Sequence, residues 1–179
     1  MVIALMQKRR SIRRFLPRPV EADKIDQLIE AALRSPSSRG LAPWEFIIVT
    51  DPSLLGKLSR AKESGSAFLK QAPLGIVVCA DPDQCDVWVE DASIASIVIQ
   101  LAAESLGLGS CWIQIRERQY DSTQSARAYV AATLNIPEQL QVESIIAIGY
   151  PNEKLLPHGK NELLYAKVHK DIYSRPYYL

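Results

Sequence analysis

Gly107-Leu108-Gly109-Ser110-Cys111-Trp112-Ile113-Gln114-Ile115 is the stretch on which the reading of the fold turns. It holds a G-x-G, yet no third glycine follows at the spacing of a dinucleotide-binding turn, and a helical pattern precedes it where a strand should stand. A Rossmann fingerprint is therefore rejected. The glycines are read instead as permitting a close approach of backbone ahead of a strand, Cys111 to Ile115, that enters the charged turn Arg116-Glu117-Arg118. Upstream, the apolar region Trp88 to Leu108 carries Glu90, Asp91, Gln100 and Glu104, which argues against a membrane span and for a buried helix. Its near-continuous apolar character implies burial on most sides, in the middle of a domain or against a second subunit.

Working outward, Ile25, Leu28, Ile29, Ala32 and Leu33 fall at helical spacing within Glu21 to Arg34, and Ser35-Pro36 ends that helix. Trp44 to Val49 is rich in aromatic and β-branched residues and reads as a strand stopped by Asp51-Pro52. A short helix from Ser53 to Ala61, another near Phe68, and a buried strand Leu74 to Cys79 are expected next. After the long helix and its strand come a helix over Ser125 to Leu134 and a last strand, Val142 to Ile148, closed by Gly149-Tyr150-Pro151. The tail beyond has little periodicity, as in segments that lie over the body or a partner subunit. No repeat or linker divides the chain, so residues 1–179 read as one domain. Alternating helices and strands by themselves suggest a parallel sheet.

A chain of 179 residues with 47% hydrophobic content can build one full-sized core, burying about 70% of the surface its unfolded form exposes. The formal charge of +1, from 21 basic and 20 acidic residues, provides no global field for nucleic acid or an anionic membrane, so any anion site must be local. Cys79, Cys85 and Cys111 form no CxxC pair and are odd in number, which favours a reducing compartment. The N-terminus has too short an apolar part for a signal peptide, and a cytoplasmic protein is expected.

Lys8-Arg9-Arg10-Ser11-Ile12-Arg13-Arg14-Phe15 packs five cations around one hydroxyl. Guanidinium groups grip phosphate oxygens two at a time and serine adds a neutral donor, so phosphate is the natural guest. On composition alone, a solvated basic helix face is the alternative. Pro36-Ser37-Ser38-Arg39-Gly40-Leu41-Ala42-Pro43 joins a helix to a strand, a common place for binding groups, though it also reads as an ordinary connection. There is no GxxxxGK[ST], HExxH or GxSxG, and His158 and His169 have no partners at metal-ligand spacing, so neither a metal site nor a serine triad is expected.

In this order, RRSIRRF, PSSRGLAPWEFIIV, GLGSCWIQI and IAIGYP, with KVHKDIY near the C-terminus, resemble the FMN-dependent nitroreductase family, in particular its short single-domain members. The resemblance implies an α+β three-layer sandwich, a mixed and mainly antiparallel sheet flanked by helices, assembled as an intertwined homodimer. It also implies FMN as cofactor, with NADH or NADPH as a transient electron donor and a small-molecule acceptor such as a nitroaromatic or quinone. By position, Arg9, Arg10 and Ser11 match the grip on the FMN phosphate and ribityl chain, and Arg13 the cation near the pyrimidine edge. Pro36, Ser37, Ser38 and Gly40 match the loop that covers the flavin, usually from the second subunit. Trp112, Ile113 and Gln114 match the strand whose backbone lies near N5, and Lys160 a further phosphate contact.

Many members have Asn at the position of Gly40 and Gln at that of Ala42, which puts the surroundings of the ring in question. Lys62 to Phe68 and Arg116 to Ser122 are the variable segments expected to line the acceptor pocket. Two alternatives stand beside a ping-pong reductase: a specialised flavin enzyme acting on a defined metabolite, and a flavin-binding protein without turnover.

Overall fold

The computed structural model describes residues 2–178. Trp44–Val49 (β1), Leu74–Ala80 (β2), Gly109–Gln114 (β3) and Gln141–Gly149 (β4) form one sheet in the order β1-β2-β4-β3, and every neighbouring pair is antiparallel. The parallel sheet suggested by alternation is thus corrected: helical connections intervene between strands, but alternation alone does not dictate the sense in which the next strand returns. The only parallel pairing among the described residues is an isolated bridge between Ser11 and Ser110. It supplies the mixed character that the resemblance implied.

Helices cover both faces. On one side lie Pro52–Leu58 (α3) and Ala126–Leu134 (α5), packed on Val77, Cys79, Ile113 and Ile145. On the other lie Ala22–Leu33 (α2) and the long Trp88–Ser105 (α4), over Ile76, Val78, Ile146 and Ile148. With helices on both faces, the central β2 is buried along its whole length, which accounts for its unbroken apolar sequence. The result is helix, sheet, helix, as expected from the resemblance.

The helix ends follow local chemistry. Asp51 accepts the Leu54 N–H at 2.8 Å to cap α3, with Pro52 in the first turn, and Ser125 accepts the Ala128 N–H at 3.1 Å to cap α5. Gly107, at φ +74°, lets the chain turn out of α4 into β3. Near Phe68 the expected helix is a 3-10 turn, Ala67–Gln71. A short helix over Val2–Lys8 (α1) was not anticipated, while Arg9 onward is extended rather than a basic helix face. Along α4, Ala92, Ala95, Ile99 and Ala103 are buried, but Ile94 and Ile97 stay 39% and 38% exposed on another side. No helix among the described residues is long and apolar enough to cross a membrane.

Candidate functional site

The arginine segment lies across the ends of two strands. After Arg9, whose N–H closes α1 on the Leu5 carbonyl, the Ile12 N–H donates to the Ser110 carbonyl at 2.9 Å. Leu16 then donates to the Tyr150 carbonyl and Asn152 to the Arg14 carbonyl, both at 2.8 Å. Glu153 accepts the backbone N–H groups of Arg13 and Arg14 at 2.5 and 3.1 Å. Two glycines make room for this strap. Gly109 and Gly149 face each other across β3 and β4; a Cβ on Gly109 would sit 2.8 Å from Ile12, and one on Gly149 would sit 2.5 Å from Pro73 and 3.0 Å from Phe15. The close approach expected at Gly107–Gly109 is therefore that of Ile12, which, like Phe15, is buried while Arg13 and Arg14 face outward.

Not all the cations are equally available. Lys8 pairs with Glu104 at 2.9 Å, and Arg10 donates to the Leu156 carbonyl. Lys160 lies in the same C-terminal stretch, two residues before Glu162, whose carboxylate is within the field of Arg10. Arg9, Arg13, Lys62 and Arg118 have no carboxylate partner among the described residues; the Arg13 guanidinium reaches only the Ser11 carbonyl, at 3.3 Å, and sits 5.9 Å from the Phe68 ring centroid. Burial pushes the Cys111 thiol up, while Arg13, the Ser11 hydroxyl, Arg9 and Lys62 pull it back. Burial pushes Lys62 down and Arg118 adds to the shift, as for two cations that lack a counter-ion. Lys62 was placed by its sequence only in a variable segment. Nothing in its neighbours signals this position, which comes from the chain returning to β3 after α3.

β3 is an edge strand. Since the Ser110 carbonyl is taken by Ile12 on the outer edge, the main-chain groups of Trp112 and Gln114 face that same edge. The side chain of Ile113 is wholly buried in the core, and its main-chain groups turn inward to Ile145 of β4, so Ile113 offers a ligand neither. The side chain of Gln114 is also engaged: its carbonyl accepts the Trp112 indole N–H at 2.8 Å, and its amide donates to Glu143 at 3.1 Å and to the Arg116 carbonyl at 3.3 Å.

The loop from Ser35 to Pro43 forms a second, separate unit. Arg39, Gly40 and Ala42 all have left-handed backbone, at φ +54°, +68° and +48°. Gly40 carries no steric penalty there, and Asn is the other residue that tolerates it, so the departure at this position keeps the backbone shape. Ser37 accepts the Ala42 N–H at 2.9 Å, and the buried Asp91 of α4 accepts the Ser38 N–H at 2.9 Å and the Cys85 thiol at 3.4 Å. Arg39 pairs with Asp86. Among the described residues no hydrogen bond or ion pair joins this loop, with Pro36, Ser37, Ser38 and Gly40, to the arginine segment. Asp91 was read from sequence only as a charge in an apolar run; its clamp on the loop was missed.

A model of the Nitroreductase family matches residues 6–65 and 55–150. Among solved structures, an FMN-dependent nitroreductase from Clostridium difficile R20291 is 48% identical, covers 96% of this chain and 99% of its own, and superposes with a TM-score of 0.94. A protein of Archaeoglobus fulgidus, provisionally named NADH dehydrogenase/NAD(P)H nitroreductase, is 36% identical over 85% of this chain and 86% of its own length. An NADH dehydrogenase of Thermus thermophilus is 28% identical over 84% of this chain and 86% of its own.

Proposed function

This chain belongs to the nitroreductase family, and on that premise we propose that it is an FMN-dependent oxidoreductase carrying electrons from NADH or NADPH to a small acceptor such as a nitroaromatic or quinone. Bound FMN would supply hydride acceptance and onward electron transfer, so no protein acid or base has to perform the central step. The observation that carries the reading is that Arg9 and Arg13 stand without carboxylate partners among the described residues, on a segment bridged to Ser110 of the edge strand β3, with Lys62 close enough to act on Cys111 of that strand. Such a set fits a ligand that is anionic at one end and gains negative charge at the other.

In this reading Arg9, Arg10 and Ser11 hold the phosphate, with Lys160 as a further contact. Each charge-assisted bond contributes about 1.5–3 kcal/mol. Arg13 and Lys62 offer fixed positive charge to the ring, which stabilises charge that develops there on reduction. The backbone of Trp112 and Gln114 faces the ring edge, and Ile113 between them holds the strand in the core. Cys111, its thiol pushed up by burial, stays neutral beneath the site.

Pro36, Ser37, Ser38 and Gly40 cover the ring from a partner subunit in a homodimer. Two things support that assembly. The loop and the arginine segment are separate units within one chain, and apolar side chains are exposed on α1, α4 and the tail, among them Ile3, Ile94, Leu156 and Tyr173. Such exposure is unusual for a monomer.

The test is anaerobic. Protein reconstituted with FMN is expected to be yellow, to bleach with NADH or NADPH, and to recover colour with a quinone or nitroaromatic. Bleaching without recovery would favour an enzyme specialised for another acceptor, and failure to take up FMN at all would end the proposal.

A further inference from the structure

Glu143 lies on β4, 3% exposed, between Val142 and Ser144. The pairing of β2 with β4 skips it: Val78 faces Ser144 and Cys79 faces Val142, so Glu143 is the extra residue of a β-bulge. Bulges re-aim a side chain and are frequent next to active sites. Here the carbonyl of Glu143 accepts both the Ile115 and the Arg116 N–H groups at 3.1 Å, and its carboxylate turns toward Gln114.

The bonds around Gln114 admit one orientation only. An indole N–H can only donate, so the oxygen of the Gln114 amide must face Trp112. Its nitrogen then faces two acceptors, the Glu143 carboxylate and the Arg116 carbonyl. Oε1 of Glu143 is the side-chain acceptor that holds this arrangement, while Oε2 is buried without a partner. A valine or isoleucine at this position would avoid the cost of burying a carboxyl group with one oxygen unpaired. Burial pushes Glu143 up, with the Gln114 amide and Arg116 pulling it back, as for a carboxyl retained against its solvation preference.

We infer that Glu143 is a positioning residue: from the bulge of β4 it fixes the Gln114 amide, and through it the Trp112 indole and the outer edge of β3. This rests on the proposal that the edge of β3 faces the flavin. Glu143 touches neither cofactor nor substrate; it acts on the strand that does.

Two substitutions separate the role of the acceptor oxygen from that of the charge. Glu143→Gln keeps an oxygen able to accept from Gln114, whereas Glu143→Leu removes it. Apoprotein of each variant is titrated with FMN, the midpoint potential of the bound flavin is measured, and the solvent exchange of the Trp112 indole N–H is followed by NMR without FMN. Glu143→Leu is expected to bind FMN about tenfold more weakly, the worth of one hydrogen bond to a charged group, to shift the potential, and to exchange its indole proton faster. Glu143→Gln is expected to stay close to the wild type in all three.

Equal affinity, potential and indole exchange in Glu143→Leu and wild type would overturn the inference, as would equal damage in both variants. If Glu143→Leu does not fold, Trp112→Phe cuts the same chain of bonds at its other end and must shift the potential likewise; no shift overturns the inference. A wild-type chain that takes up no FMN would instead overturn the flavin reading itself.

Discussion

The arginine segment and the Ser35–Pro43 loop are two halves of one proposed site, built on opposite principles. The segment is held by main-chain hydrogen bonds to Ser110, Tyr150 and Asn152 and by two glycines that clear its path. Arg9, Arg13 and Arg14 are thereby left without carboxylate partners among the described residues and able to meet a ligand. The loop has three left-handed residues in four positions, and a buried carboxylate, Asp91, holds it from 53 residues away in the chain. Non-glycine residues in that region cost about 1–2 kcal/mol each, a strain that tends to persist where surrounding structure enforces it. One half grips with unstrained backbone; the other stores strain in order to present a surface.

The largest effect should come from filling the gap under the segment. Gly109→Ala would drive a Cβ into Ile12 and is expected to cost about 2–3 kcal/mol, seen as a lower urea midpoint together with weaker FMN binding. If stability falls but FMN affinity holds, the segment is structural only. Asp91→Ala should cost about 1–2 kcal/mol by orphaning the Ser38 N–H, and should weaken FMN through the loop. An unchanged affinity there would separate the loop from the site.

Relief of strain should be a smaller effect and opposite in sign. Ala42→Gly is expected to stabilise by about 0.5 kcal/mol, the relief at φ +48° less the greater chain entropy of glycine, as a slight rise in Tm. The smallest concerns the exit of the segment, where the Tyr150 hydroxyl donates to Glu21 at 2.6 Å and holds its carboxyl at about 2, below the ordinary 4.5. A lowered carboxyl stabilises the fold above its unfolded value and loses that contribution as pH falls from 4.5 through about 2. The stability gap between wild type and Tyr150→Phe should accordingly shrink over that range in acid unfolding.

These two halves also differ in how far they can be read from the sequence. The segment is partly legible: guanidinium groups around a serine suit a phosphate, but composition alone leaves a solvated basic helix face as the alternative, and only the resemblance decides between them. Gly109 marks a close approach even before its partner, Ile12, is known. The helix α2, strands β1, β2 and β4 and the buried α4 follow in the same way from periodicity and flanking Pro and Gly. Sheet direction did not, since helix–strand alternation is blind to which way the next strand returns; the family resemblance supplied it. The loop was legible only by resemblance. Its shape depends on Asp91, whose sequence context is that of a stray charge in a helix, and on positive φ values that Arg39 and Ala42 do not advertise. Lys62 and Glu143 were equally silent, one placed by chain return and the other by a bulge that no residue pattern marks.

The central claim is that the guanidinium groups of the segment hold the phosphate of FMN, and comparing FMN with riboflavin, which lacks that phosphate, tests it most directly. Fluorescence titration of wild type should give FMN an advantage over riboflavin of about a hundredfold or more, from two charge-assisted bonds, and Arg9→Ala should lose at least about tenfold of it while riboflavin binds as before. An Arg9→Ala variant that keeps the full preference for FMN would contradict the account.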